Sequence, residues 1–273
     1  MKFSLFALIL VFSISNSFCQ SNNLTIHKSG NGKQQIILVS GLACKTDIWN
    51  RTLDSLSADA TVFTIDYYND SGHQLTTIND IASQILNWMN KKDMSKPIII
   101  GHSLGGVIAL NVASKLNGNI KKLIIIDSYP AISALSNPNF ASNPNNNCSP
   151  FVEKFSSMEA EQFKNFQMSN YAQMTLNATE RTKLVDWVTG YDRINYSNLL
   201  CDYINTDLRT SISSIVCPTL ILGSMPMSAL KENIGKQYET MKTHTIKYSQ
   251  KGLHFLMVDD FDWYMGEIKN FIE

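Results

Sequence analysis

The chain has no charge excess to spend on a polyanion. Its 273 residues carry 23 Lys and Arg against 23 Asp and Glu, a formal net charge of +0. Phosphate binding requires clustered cations, and the densest basic runs are pairs such as Lys91-Lys92 and Lys121-Lys122, which read as solvated surface. Nucleic acid is therefore excluded as a partner. No apolar run reaches the roughly 20 residues needed to span a bilayer stably. Cysteines are few, and the spacings of Cys44, Cys148, Cys201 and Cys217 fit no zinc pattern, so the sequence asks for neither metal nor cofactor.

The amino-terminal segment departs from the rest. Lys2 is followed by an apolar run, Phe3 to Ile14, and by Ser15, Asn16 and Ser17. This is the layout of a secretory signal peptide. A cut after Cys19 makes residues 1–19 the signal and 20–273 the mature domain, exported to a periplasm or the medium. An oxidising compartment permits disulfides among the four remaining cysteines, but sequence does not give their pairing.

Apolar residues make up 44% of the chain, enough for one large core. Buried-strand runs alternate with helical periodicity, which implies an α/β fold with a mostly parallel sheet flanked by helices. Strands are expected at Gln35–Ser40, Thr61–Asp66, Pro97–Ile100, Lys122–Asp127, Thr219–Gly223 and His244–Tyr248. Asp47–Leu56 and the stretch holding Ile78, Ile81, Ile85 and Trp88 are expected as helices, the latter capped by Thr77 with Asp80. Val107–Leu116 is apolar nearly all round and should lie deep. Residues 128–214 break the rhythm with an Asn-, Ser- and Pro-rich loop. Helical segments follow at Phe151–Gln173, Thr179–Trp187 and Tyr196–Tyr203, read as a helical cap. A stripe including Met158, Phe163, Phe166, Met168, Tyr171 and Met174 is read first as packing between helices and second as a pocket lining.

Gly101-His102-Ser103-Leu104-Gly105 matches G-x-S-x-G between a strand and a helix, the context that motif requires. Glycine at 101 and 105 lets the backbone turn tightly and lift the Ser103 hydroxyl above the sheet. A serine hydroxyl is a weak nucleophile and needs a base. Of five histidines, His254 alone follows the last strand and stands where catalytic groups of open α/β sheets gather. His27 falls in an early strand, His73 in a loop, and His244 at a strand start. His102 is expected to aim away from Ser103. The third member should be a carboxylate that fixes the imidazole. The loop after Thr219–Gly223 holds no acid before Glu232, whereas Asp127 ends a neighbouring strand. Asp127 is the first candidate, Glu232 the second, and no acid at all the third. The backbone N–H groups of Leu42 and Leu104 are the candidate oxyanion donors.

Together, Gly41-Leu42-Ala43 with Trp49, Gly101–Gly106, Ile126-Asp127-Ser128-Tyr129-Pro130 and His254-Phe255 resemble the α/β-hydrolase superfamily, over nearly the whole mature chain. They are most similar to a bacterial subgroup whose acid follows the family's sixth strand. The resemblance implies a triad of Ser103, Asp127 and His254 under a helical cap. Two features depart from it: Ser40-Gly41 replaces the usual His-Gly, and the usual acid after the seventh strand is missing. The expected activity is hydrolysis of a small-molecule acyl substrate, an ester, thioester or amide, through an acyl-enzyme. The competing readings are a perhydrolase or carbon–carbon hydrolase on the same fold, and a binding protein that kept the elbow.

Overall fold

The computed structural model describes residues 24–68, 77–116 and 118–273. The signal-peptide segment and His73 lie outside these residues. Seven strands form one sheet: β1 (Thr25–Ser29), β2 (Gln34–Val39), β3 (Ala60–Asp66), β4 (Ile98–His102), β5 (Lys122–Ile126), β6 (Thr219–Gly223) and β7 (His244–Tyr248). Their order is β1-β3-β2-β4-β5-β6-β7. Only β1 pairs antiparallel; β2 to β7 are parallel throughout.

Burial on both faces explains the strand sequences. Ile98, Ile99 and Ile100 in β4, and Leu123 to Ile126 in β5, are all buried. Alternate residues feed two cores, as the pleat dictates: Ile99, Leu123 and Ile125 pack on one side, and Ile98, Ile100, Ile124 and Ile126 on the other. β-branched side chains suit such doubly covered strands.

On the first side lie α2 (Ile78–Lys91) and α3 (Leu104–Lys115). Thr77 caps α2, its Oγ1 accepting the Asp80 N–H at 3.1 Å. Helix α3 is buried from Leu104 to Ala113, so it sits between the sheet and α2. On the other side, α1 (Asn50–Leu56) and α10 (Phe261–Ile272) contribute Leu56, Tyr264 and Ile268 to the second core. The expected helix at 47–56 opens as a 3-10 turn, Thr46–Trp49, before α1.

Between β5 and β6 come α4 (Ser149–Ser156), α5 (Ala160–Ala172), α6 (Ala178–Thr189) and α7 (Arg193–Asn205). The single helical segment expected over 151–173 is two helices. Ser157 ends α4, and Glu159 with Gln162 forms a capping box that starts α5 afresh. A disulfide joins Cys148, at the start of α4, to Cys201 in α7. Cys44 and Cys217 are free and buried. Helix α8 (Lys231–Tyr238) follows β6, and the short α9 (Leu256–Asp259) follows β7. Among the described residues, no helix is long and apolar enough to cross a membrane.

Candidate active site

The carboxyl ends of β4, β5 and β7 bring three polar side chains to one edge of the sheet. Ser103 follows β4, Asp127 follows β5, and His254 lies in the loop after β7. Open α/β sheets place ligands at this edge.

Ser103 is 9% exposed and has φ 53° and ψ −125°, a conformation that few non-glycine residues adopt. Such strain costs on the order of 1–3 kcal/mol and persists only where surroundings impose it. Here the Ser103 N–H donates to the Ile126 carbonyl at 3.0 Å, and the Ser103 carbonyl accepts the Gly106 N–H at 2.8 Å. The flanking glycines are obligatory on steric grounds. A Cβ at Gly101 would stand 2.3 Å from the Gly105 carbonyl oxygen, and one at Gly105 would stand 2.2 Å from that of Val39.

Asp127 also has positive φ, 41°, which Asp tolerates better than most residues. Its Oδ1 accepts the Ser224 N–H at 2.7 Å and the Tyr129 hydroxyl at 3.0 Å. Its Oδ2 meets His254 Nδ1 at 2.7 Å. Burial alone would raise the carboxyl pKa. The His254 hydrogen bond, its charge and the Ser224 N–H outweigh that, and the net position is below the usual value. A buried carboxylate so bonded fixes Nδ1–H on the imidazole and leaves Nε2 as the acceptor. Glu232, the alternative acid, is on α8 and lines a separate open groove with Pro138 and Arg209.

The loop after β2 faces the elbow. Neither the Leu42 nor the Leu104 N–H has an acceptor among the described residues. Leu104 opens α3, so its N–H carries the positive end of the helix dipole. The loop is braced from beneath: Tyr67 Oη donates to the Ser40 and Gly41 carbonyls at 2.9 and 3.0 Å, and Tyr68 Oη accepts the Ala43 N–H. Ser40, in the place of the family's histidine, accepts the Trp49 indole N–H at 2.9 Å. That bond ties the loop to the 3-10 turn.

His102 departs from expectation. Strict strand alternation would aim it away from Ser103, but Ser103 has already left the strand and turned. His102 lines the same cavity, with its ring 4.7 Å from that of His254. Its Nε2 is 3.0 Å from the His254 carbonyl oxygen; since that oxygen can only accept, Nε2 carries the proton. Burial first, then the neighbouring His254, push the His102 pKa down to about 3, so this ring is neutral.

The cavity, about 120 Å³, holds Ser103, His254 and Leu42 together. Its roof comes from the inserted helices: Gln167, Asn170, Tyr171 and Met174 from α5 and its end, and Tyr196, Leu200 and Tyr203 from α7. The sequence stripe thus divides. Tyr171 and Met174 reach the cavity, whereas Phe163 is buried in the core and Met158, Phe166 and Met168 pack against it. Gln167, Asn170, Tyr196, Leu200 and Tyr203 were not anticipated; only the spacing of 167, 170, 171 and 174 on one helix face could have pointed to some of them. Cys44 also lines the cavity. Burial pushes its thiol up to about 12, so it is no rival nucleophile at neutral pH. Among the described residues no cluster of three or more His, Cys, Asp or Glu side chains is disposed to hold a metal.

A doubly wound parallel sheet with a strained serine at a strand–helix turn, and an Asp–His pair one and three strands away, defines the α/β-hydrolase class. The sequence profile of the alpha/beta hydrolase fold family matches residues 35–222, and the chain belongs to that family. It is 32% identical over 121 residues to a pimeloyl-[acyl-carrier protein] methyl ester esterase of Vibrio atlanticus, covering 43% of this chain and 45% of that protein. The chain thus spans less than half the length of the methyl ester esterase it matches. Among solved structures it resembles a bromoperoxidase from Bacillus anthracis (TM-score 0.77, 17% identity, covering 94% of this chain and 99% of that one). It is also similar to the enol-lactonase from Burkholderia xenovorans (TM-score 0.76, 14% identity, 94% and 99%). At these identities the structural likeness speaks for the fold alone.

Proposed function

We propose that the protein is a serine hydrolase that cleaves a small-molecule ester through an acyl-enzyme on Ser103. The observation that carries this reading is the 2.7 Å bond between Asp127 and His254 beside a serine held at positive φ in the same cavity. Ser103 Oγ attacks the acyl carbonyl while His254 Nε2 takes its proton. Asp127 holds the imidazole tautomer and balances the imidazolium. The Leu42 and Leu104 N–H groups receive the oxyanion. The tetrahedral intermediate then collapses: the carbonyl–leaving-group bond breaks, and the leaving alkoxide takes the proton from His254. Water repeats the sequence on the acyl-enzyme and frees Ser103. The similarity to an esterase of Vibrio atlanticus supports the reaction class. A thioester or amide is served by the same steps.

Residues 149–205, carrying α4 to α7, act in this reading as a cap that closes the site from water. The Cys148–Cys201 disulfide supports the exported, oxidising setting suggested by the signal-like residues 1–19. Pre-steady-state hydrolysis of p-nitrophenyl acetate tests the reading. One equivalent of nitrophenolate should appear in a burst in the wild type and none in Ser103→Ala. Steady turnover retained in Ser103→Ala would overturn it.

A further inference from the structure

The roof of the cavity differs in kind from its floor. The floor is made of Ser103 and His254, the neutral His102, and Gly41, Leu42, Cys44 and Phe255. The roof carries two side-chain amides one helical turn apart, Gln167 and Asn170, both on the cavity face of α5. Gln167 is 1% exposed. One end of its amide is committed to Tyr196 Oη at 3.1 Å. Its other polar atom has no partner among the described residues, and neither end of the Asn170 side chain has one. An amide on the cavity wall with an open hydrogen-bonding position is completed by a ligand group or by water. Gln167 thus serves the buried Tyr196 hydroxyl with one end of its amide and leaves the other end to the cavity. The site therefore offers a neutral donor–acceptor pair above Ser103.

Two further observations narrow what would meet it. Among the described residues no Lys, Arg, Asp or Glu lines the cavity, so an acyl chain ending in a carboxylate or an ammonium would be desolvated there without a counter-charge, a costly exchange. The cavity volume is about 120 Å³. A cavity of roughly 150 Å³ takes benzene, so the enclosed part of the substrate has roughly four to six carbon atoms.

We propose, building on the serine-hydrolase reading, that the substrate's acyl group is short and uncharged and carries a hydroxyl or carbonyl that Gln167 and Asn170 bind. Gln167 is the principal specificity residue. Tyr196 holds its amide in one orientation, so the ligand group meets a fixed partner, whereas Asn170 is only half-buried.

The test compares kcat/KM for methyl esters that share one leaving group: butyrate, 3-hydroxybutyrate, octanoate and the monomethyl ester of succinate. It uses the full chain, with the rate of Ser103 labelling by a fluorophosphonate as the measure of an intact triad. In the wild type the hydroxylated ester should exceed butyrate by roughly tenfold, the worth of one good neutral hydrogen bond, and both should exceed octanoate and the succinate ester. In Gln167→Leu the advantage should fall below about twofold with Ser103 still labelled, while Gln167→Glu should reject all neutral hydroxylated esters less than it rejects the succinate ester. A hydroxyl preference that survives Gln167→Leu, or a wild-type preference for octanoate or the succinate ester, overturns the proposal with the hydrolase reading intact. Absence of Ser103 labelling in folded wild type overturns both.

Discussion

Asp127 Oδ2 and His254 Nδ1 lie 2.7 Å apart although 127 residues separate them in the chain. The sheet order explains the meeting. β5 and β6 are neighbours, and the Ser224 N–H that follows β6 closes on Asp127 Oδ1. The carboxylate therefore leans across the end of β6 toward the loop after β7. An acid supplied by β5 fills the space that the loop after β6 leaves empty.

Asp127→Asn should lower kcat by roughly 10⁴. An amide has one acceptor, whereas the carboxylate serves donors on both oxygens. If the Asn oxygen faces Ser224, its NH₂ confronts His254 Nδ1–H and forces the wrong tautomer; if it faces His254, the NH₂ confronts the Ser224 N–H. The check is kcat on any ester the wild type turns over, with circular dichroism to verify folding. A loss under tenfold would remove Asp127 from the triad.

His102 should make the protein acid-sensitive. Its folded-state pKa, about 3, lies below the ordinary 6.5. In that interval the unfolded chain binds a proton that the folded one refuses, so this group's penalty grows as pH falls from about 6.5 towards 3. Asp127 adds in the same direction, since its depressed pKa contributes stability that is lost as pH falls through the folded value. His102→Gln keeps a donor for the His254 carbonyl without a titrating ring. Urea denaturation at pH 7 and pH 4.5 should show a smaller stability loss for His102→Gln than for the wild type. Equal losses would contradict this assignment.

Much of this arrangement was legible in the sequence because the constraints are local. Isoleucine runs specify doubly buried strands, and Gly101 and Gly105 are imposed by carbonyls only 2.3 and 2.2 Å from any added Cβ. Chain order then singled out His254. Asp127 against Glu232 stayed open, because only the order β5-β6-β7 decides which carboxylate can lean over to that loop. The cavity roof was legible only in part: Tyr171 and Met174 belong to the stripe whose second reading was a pocket lining, and the roof's other members went unread. Helix α5 uses one periodicity for two purposes: Phe163 packs into the core while Gln167 and Asn170 face the cavity, and nothing in the spacing separates them. His102 was misread because alternation stops where Ser103 turns. The partner of Cys148 required the fold of the inserted helices.

Removing the Cys148–Cys201 bridge should loosen the roof. It closes a loop with a sequence separation of 53 residues, worth about 4 kcal/mol in the loop-entropy view. It also anchors α7 next to Leu200, which lines the cavity. Cys148→Ser with Cys201→Ser should lower the thermal midpoint by roughly 8–16 °C and raise KM more than it lowers kcat. Scanning calorimetry and steady-state kinetics check both. An unchanged midpoint would show that this bridge does not restrain α4 and α7.

Asp259 should couple roof and base. Its Oδ1 accepts the Thr175 hydroxyl at 2.7 Å and the Leu176 N–H at 3.1 Å, and its Oδ2 accepts the Leu253 N–H at 3.1 Å. One carboxylate thus joins the residues after Met174 to the residue before His254. Asp259→Ala leaves those donors without their acceptor and should cost roughly tenfold in kcat/KM, with a shifted acid limb of the pH–rate profile. A fall in stability with an unaltered pH profile would make Asp259 a structural tie only.

The central claim is tested most directly by intact-mass and peptide mass spectrometry after treatment with a fluorophosphonate. The account predicts one adduct per chain, on the peptide containing Ser103, absent from Ser103→Ala and strongly slowed in His254→Ala. A folded wild-type protein that takes up no adduct, or takes it up elsewhere than Ser103, would contradict it.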